Sequence, residues 1–225
     1  MNTMNRIGLI ALAMIAAVCV SPAQTGSRPV ADRGKAVVWS PPNVGWWDEM
    51  PKATVPKVMI GSLRVAGLPV VLEKTNLEDA HKYFGGTIGS QGDASESLGW
   101  ICLDGSDKEG SWILWLFSGE IDGPAIGGFE WRHLSTSEKP DQRCSHLPKN
   151  SKGIELPIAL HLGMTEAEVR TLLGSPTAAR EMTLFYCHEH QTVIRKEDYT
   201  VSNNVAIVFR KGAVWAIEVT KTTSN

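Results

Sequence analysis

The sequence predicts an α+β fold of two tandem modules, each with short helices packed on an antiparallel β-sheet. A helix with clear start and stop signals occurs twice, 89 residues apart. Each helix is followed by short apolar runs typical of strands, separated by turn residues. Recurrence of several features in one order indicates an internal duplication. The equivalent pairs are Asn76 and Thr165, Gly85 and Gly174, Cys102 and Cys187, and Phe117 and Phe209.

Residues 1–23 have the pattern of a secretory signal peptide. Arg6 precedes an apolar run from Ile7 to Val20. Small residues follow this run up to Ala23, and we expect cleavage after Ala23. The run is shorter than the roughly 20 residues that cross a bilayer, and no later segment approaches that length. A lipoprotein would have to use Cys19, but the bulky valine before it disfavours lipid attachment. We therefore expect a periplasmic or secreted protein with no membrane span.

The charge of the chain argues against a nucleic-acid partner. Lys and Arg number 22 and Asp and Glu number 24, a net charge of −2 at pH 7. Cleavage after Ala23 would remove Arg6 and no acidic residue, leaving the chain slightly more acidic. Binding to phosphates needs a basic surface, which this composition does not supply.

Residues 24–57 are predicted to form an extended lead-in rich in Pro and Trp. The stretch WSPPNVGWWDEMPKATVPK follows neither a helical nor a strand period. An indole ring that stays in solvent lacks the stabilisation of about 2 kcal/mol that its burial would give. We therefore expect Trp39, Trp46 and Trp47 to dock on the protein's own surface.

The first module is predicted over residues 58–147. A strand near residues 68–72 leads to a helix capped by Asn76, and Asp79 and Gly85 occupy the later positions of the helix signal. A Gly- and Ser-rich loop follows, then strands in WICL and SWILWLF and a return strand near residues 126–131.

The second module is predicted over residues 148–225. Thr165 and Glu168 have the spacing of a capping box, and Gly174 ends the helix. Strands in TLFYCHEH and NNVAIVFRKGAVWAIEV follow, with a tight hairpin turn at Lys211 and Gly212.

The segment GMTEAEVRTLLGSPT, followed by a β-hairpin of alternating apolar residues, resembles the SmpA/OmlA (BamE-like) family of bacterial envelope proteins. Two such units in tandem are similar to the arrangement of the secreted β-lactamase inhibitor protein. The resemblance implies a non-enzymatic scaffold that binds other proteins with an open sheet face. Unlike the SmpA/OmlA lipoproteins, the chain lacks a good lipid-attachment signal. Unlike the β-lactamase inhibitor protein, it has too few cysteines for a bridge in each module.

The last hairpin predicts two apolar sheet faces. A two-residue turn puts Phe209 opposite Val214, and Val208 opposite Trp215. One helix covers only one face, so the other is covered by the second sheet or by the lead-in, or it binds a protein partner in the envelope or outside the cell. The candidate partner-binding residues are Trp112, Leu114, Leu116, Val208, Trp215 and Ile217.

A metal-binding function is the alternative hypothesis. In the stretch CHEH, strand alternation puts His188 and His190 on one face, at a spacing from which both can bind Zn²⁺ or Cu²⁺. A third ligand is not identifiable. The other interpretation is a pair of surface histidines at a strand end.

We predict no enzymatic activity and no cofactor. His81, Asp93 and Ser95 are the residue types that hydrolysis would need, but neither a Gly-x-Ser-x-Gly elbow nor a Ser-x-x-Lys pair at a helix start is present. A loop of this composition typically turns the chain and bonds its own backbone.

Three cysteines remain after signal cleavage, which allows one bridge and one free thiol. Cys102 and Cys187 hold equivalent positions in separate modules, too far apart to bond. Cys144 lies in the connection and can reach either strand. We favour a Cys102 to Cys144 disulfide with Cys187 free and buried, and Cys144 to Cys187 is the alternative.

Overall fold

Antiparallel strands dominate the computed structural model, which describes residues 35–42, 50–53, 59–93, 97–119, 122–149 and 151–225. Within these ranges lie fourteen strands and the two helices Leu77–Phe84 (α1) and Glu166–Leu173 (α2). The predicted signal peptide, Trp46, Trp47 and Ser95 lie outside the described residues. The strands are Ala36–Val38 (β1), Ser62–Val65 (β2), Leu68–Val71 (β3), Gly89–Gln91 (β4), Leu98–Asp107 (β5), Gly110–Gly119 (β6), Gly128–His133 (β7), Glu138–Pro140 (β8), Ser145–His146 (β9), Ile154–Glu155 (β10), Ala178–Arg180 (β11), Thr183–Ile194 (β12), Glu197–Arg210 (β13) and Ala213–Ser224 (β14).

Nine of these strands form one sheet. Its order is β11-β12-β13-β14-β7-β6-β5-β4, with β9 beside β5. The central pair, β14 and β7, is antiparallel, with Ile217 opposite Trp131 and Val219 opposite Phe129. We call this β14–β7 junction the seam. It joins strands that lie about 90 residues apart in the sequence into one continuous surface.

The predicted fold class is wrong. The described part of the chain is mostly β, and its two helices have only eight residues each. The prediction was two separate helix-on-sheet modules, whereas the structure has a single large sheet of nine strands. The physical reason lies in the last strand of each half: a strand at a sheet edge leaves backbone N–H and C=O groups unpaired, and pairing β7 with β14 satisfies both edges at once.

The same order of elements nevertheless occurs on both sides of the seam, as a helix, a short strand and three longer strands. Both helices end at a glycine with positive φ, 78° at Gly85 and 77° at Gly174. The N–H of Gly85 donates to the carbonyl of His81, and the N–H of Gly174 donates to the carbonyl of Arg170. Glycine adopts this backbone conformation without the steric cost of a Cβ.

The main core lies between one face of the sheet and the two helices together with the small sheet β10-β2-β3. We call this face the inner face. Leu114 and Ile207 from the large sheet are fully buried there, and Val169 of α2 packs in the same cluster. Burying a side chain of this size stabilises the fold by roughly 1.5–3 kcal/mol, so this layer supplies most of the driving force for folding.

Parts of the lead-in cover the opposite, outer face. Trp39 packs on Trp100 with ring centroids 5.7 Å apart, and the Trp115 ring N–H donates to the Trp39 carbonyl over 2.9 Å. Farther along, Met50 packs against Cys187, and Ala53 pairs with β12 at its edge. The prediction that Trp39 docks on the protein's own surface is therefore confirmed.

The predicted disulfide is also confirmed. Cys102 on the outer face of β5 is bonded to Cys144, with Cα atoms 4.7 Å apart. Cys187 is free and buried, and its burial raises the pKa of the thiol. A buried thiol with a raised pKa has little thiolate, so Cys187 is expected to be unreactive in the folded protein.

Candidate binding surface at the seam

The structure does not bring the six predicted partner-binding residues together. Val208 and Trp215 lie half-buried on the outer face of the sheet. The other four are buried in the core on the inner face, each no more than 2% exposed. These are Trp112, Leu114, Leu116 and Ile217.

An irregularity in the last hairpin explains why Trp215 and Ile217 face opposite sides of the sheet. Phe209 pairs with Val214 as predicted, but Val208 pairs with Ala216 instead of Trp215. The extra residue in β14 is a β-bulge, which shifts the side-chain alternation by one position. Trp215 therefore faces outward, whereas Ile217, two residues later, faces the core.

Trp215 stands between two arginines. The guanidinium carbon of Arg210 lies 3.4 Å from the centroid of the Trp215 ring, and that of Arg132 lies 4.8 Å from it. Arg132 belongs to β7, so this cluster crosses the seam. We define Arg132, Val208, Arg210 and Trp215 as the seam surface. Cations over an indole face contribute about 0.5–2 kcal/mol, depending on how well they are desolvated.

Buried charges lie beneath and beside this surface. Arg132 is 5% exposed, and its guanidinium group donates to both carboxylate oxygens of Glu138, over 3.1 and 3.2 Å. A carboxylate oxygen of Glu130 lies 3.6 Å from Nε of Arg132. In the pairing of β7 with β14, Glu130 is directly opposite Glu218. The seam thus places two carboxyl groups in neighbouring positions, with one tightly held guanidinium beside them.

The two glutamates that contact Arg132 have opposite pKa shifts. Burial raises the pKa of Glu130 to about 7, against the attraction of Arg132. Burial also raises the pKa of Glu138, but hydrogen bonds from Arg132 and Ser135 outweigh that effect and hold it at about 2. At neutral pH, Glu138 is therefore the ionised partner of Arg132, while Glu130 carries a proton in part of the population.

Sequence reasoning missed Glu130 and Arg132. A signal was present, because the two charged residues alternate with Phe129 and Trp131 in the run FEWRH. In a strand this spacing puts the charges on one face and the aromatic rings on the other. Such a pattern predicts a sheet with a polar patch on its second face.

The predicted metal ligands do share one side of β12. The rings of His188 and His190 have centroids 5.0 Å apart, and His188 is 3% exposed. Within the described ranges, however, no group of three or more His, Cys, Asp or Glu side chains is arranged to hold a metal ion. The described residues therefore give this pair no third ligand.

The residues considered for hydrolysis have local roles or lie on the surface. Nε2 of His81 lies 3.2 Å from the carbonyl oxygen of Gly86, so the ring N–H donates to the backbone just past its own helix. Asp93 is exposed.

The described residues bear on the compartment of the chain in two ways. A disulfide such as Cys102 to Cys144 is typical of oxidising compartments. Neither α1 nor α2 is long and apolar enough to cross a membrane, and the described part of the chain contains no other helix. No family model, no curated protein and no solved structure matches the chain.

Proposed function

We propose that this chain is an exported, non-enzymatic binding protein that recognises another protein through the seam surface. The observation that carries the proposal is Trp215, which is half-buried between two arginines, whereas Trp100 and Trp115 elsewhere on the outer face are buried. Trp and Arg are the residues most enriched among the hot spots of protein interfaces. A partner that covers Trp215 would gain apolar contact and, at Arg210, a charged contact.

Part of the surface is ordered before a partner binds, which favours tight binding. Arg132 is held by its two hydrogen bonds to Glu138, and the Trp215 ring packs between Arg132 and Arg210. Side chains that are already ordered lose less conformational entropy on association, at about 0.5–1.5 kcal/mol for each side chain that need not be immobilised. The surface is also narrow, because Trp39 and Met50 cover the parts of the outer face on either side.

Export rests on the predicted signal peptide and is supported by the disulfide. We therefore place the chain in the periplasm or outside the cell, and its partner with it. Non-enzymatic protein binding is also what the resemblance of the second half to SmpA/OmlA proteins implies. The proposal narrows the binding residues from a whole sheet face to the seam surface.

Site-specific photo-crosslinking in envelope extract tests this function. A photoreactive residue replaces Val208 in one sample and exposed Thr171 of α2, away from the outer face, in the matched control. We expect a protein adduct from position 208 and none from position 171. Trp215→Ala in the position-208 sample should lower the adduct yield at least about tenfold, because loss of a hot-spot side chain costs about 2 kcal/mol or more.

Circular dichroism on each variant keeps the test independent of folding. Equal adducts at positions 208 and 171 would show non-specific capture. An unchanged yield in a folded Trp215→Ala variant would remove Trp215 from the interface, and with it the proposal.

A further inference from the structure

A cleft lies at one end of the sheet, away from the seam surface. It is formed by the β5–β6 turn, residues 147–149 and 151–154 of the connection, and residues 161–162, and its volume is about 330 Å³. Trp112, Trp131, Lys149, Lys152 and His161 are among the residues that line it. This volume is at the lower end of the range for small-molecule sites.

One residue of the lining carries a buried polar group without a partner among the described residues. Trp131 is 4% exposed, and its indole N–H makes no hydrogen bond within the part of the chain that the structure describes. A buried donor without an acceptor destabilises the fold, so buried indole N–H groups usually find one. An acceptor oxygen brought by a ligand would remove this cost.

The charges at the rim of the cleft favour an anion. The acidic residues of the turn have partners of their own: a carboxylate oxygen of Asp107 accepts hydrogen bonds from two backbone N–H groups, and Glu109 pairs with Lys108 over 3.5 Å. Lys149 and Lys152 are exposed and have no acidic partner within the described residues. Two ammonium groups are therefore available beside the cleft.

We infer that this cleft binds a small organic molecule that carries an oxyanion, either a carboxylate or a phosphate. Lys149 and Lys152 contact the charged oxygens, and an oxygen of the ligand accepts from the Trp131 indole N–H. Lysine suits this role because its ammonium group is a compact charge with three donors. The site is separate from the seam surface and is independent of the proposed protein partner.

A titration followed by ¹⁵N NMR of the indole N–H groups tests the site, with citrate and inorganic phosphate as probes at constant ionic strength. We expect the Trp131 indole proton to move downfield and saturate at millimolar concentrations of one probe. Saturation by citrate alone identifies a carboxylate site, and saturation by phosphate alone identifies a phosphate site. The double variant Lys149→Gln, Lys152→Gln should weaken that binding at least tenfold.

Lys211→Gln is the matched control, because Lys211 is exposed at a hairpin turn and does not line the cleft. Its titration should match that of the unmodified protein. The inference is overturned if neither probe shifts the Trp131 signal. It is also overturned if Lys211→Gln weakens binding as much as the double variant does, since the effect would then be general ion attraction.

Discussion

Glu130 is the residue through which pH acts most directly on this fold. Glu130 is 4% exposed and pairs with Glu218 of the neighbouring strand. A carboxylate oxygen of Glu130 lies 3.6 Å from Arg132, which is itself bound to Glu138. The folded protein holds its proton up to about pH 7, whereas the unfolded chain releases it near the ordinary pKa of 4.5. Unfolding therefore releases a proton between these pH values, and this group makes stability fall as the pH rises from about 4.5 to about 7.

We predict that Glu130→Gln removes this dependence. The variant and the parent should have similar free energies of unfolding at pH 5, and at pH 8 the variant should be more stable by an amount on the order of 2–3 kcal/mol. Urea unfolding at the two pH values measures the difference. Exposed Glu78→Gln is the control. Parallel stability curves for Glu130→Gln and the parent would show that the buried carboxyl group does not titrate in this range.

At the scale of the element, the two helices start differently although they end alike. The Thr165 side chain accepts from the N–H of Glu168, and the Glu168 carboxylate accepts from the N–H of Thr165, so the predicted capping box is present. Asn76 has the same position before α1 but makes no side-chain capping hydrogen bond. The N-cap hydrogen bond expected there is missing, so the equivalence of the two sequences does not extend to the cap itself.

This difference predicts unequal effects of the same substitution. Thr165→Ala should lower the free energy of unfolding by about 1 kcal/mol, because it leaves a backbone N–H of α2 without its partner. Asn76→Ala should lower it by less than about 0.5 kcal/mol, since no such bond is lost. Chemical denaturation of both variants measures the two effects. An equal loss in both would mean that Asn76 caps α1 in solution.

Short-range features of these elements were predictable, and features that depend on pairing were not. The ends of α2 and the turn at Lys211 and Gly212 follow from residues within a few positions of each other. The bulge beside Val208 has no such local signal, so counting outward from the turn put Trp215 opposite the wrong residue. The extra residue moved Ile217 from the predicted binding strip to the inner face.

The error in fold class has the same cause, because the pairing of strands that are distant in the sequence leaves no local signal. The cysteine pairing was predictable in part, because equivalent positions in the two halves excluded a Cys102 to Cys187 bond but left Cys144 able to pair with either cysteine. The seam was not, because the pairing of β7 with β14 joins residues about 90 positions apart and needs no special residue type. Buried Asn203 is similar: its amide bonds both the N–H and the C=O of Ile60, and no sequence pattern links the two.

The seam is the central feature of the molecule, because the proposed binding surface takes Arg132 from one side of it and Trp215 from the other. If the sheet is continuous, the two halves should unfold together as one cooperative unit. Phe129 is fully buried at the seam, opposite Val219. Phe129→Ala should therefore weaken both halves equally, by about 3–5 kcal/mol.

Native-state hydrogen exchange measures this most directly, on the backbone amides of Leu114 in β6 and Ile207 in β13, both fully buried. We predict opening free energies that agree within about 0.5 kcal/mol and equal the global free energy of unfolding, with equal decreases in Phe129→Ala. Opening free energies that differ by more than about 2 kcal/mol, or a decrease confined to one half, would show that the halves fold separately and that the seam does not form.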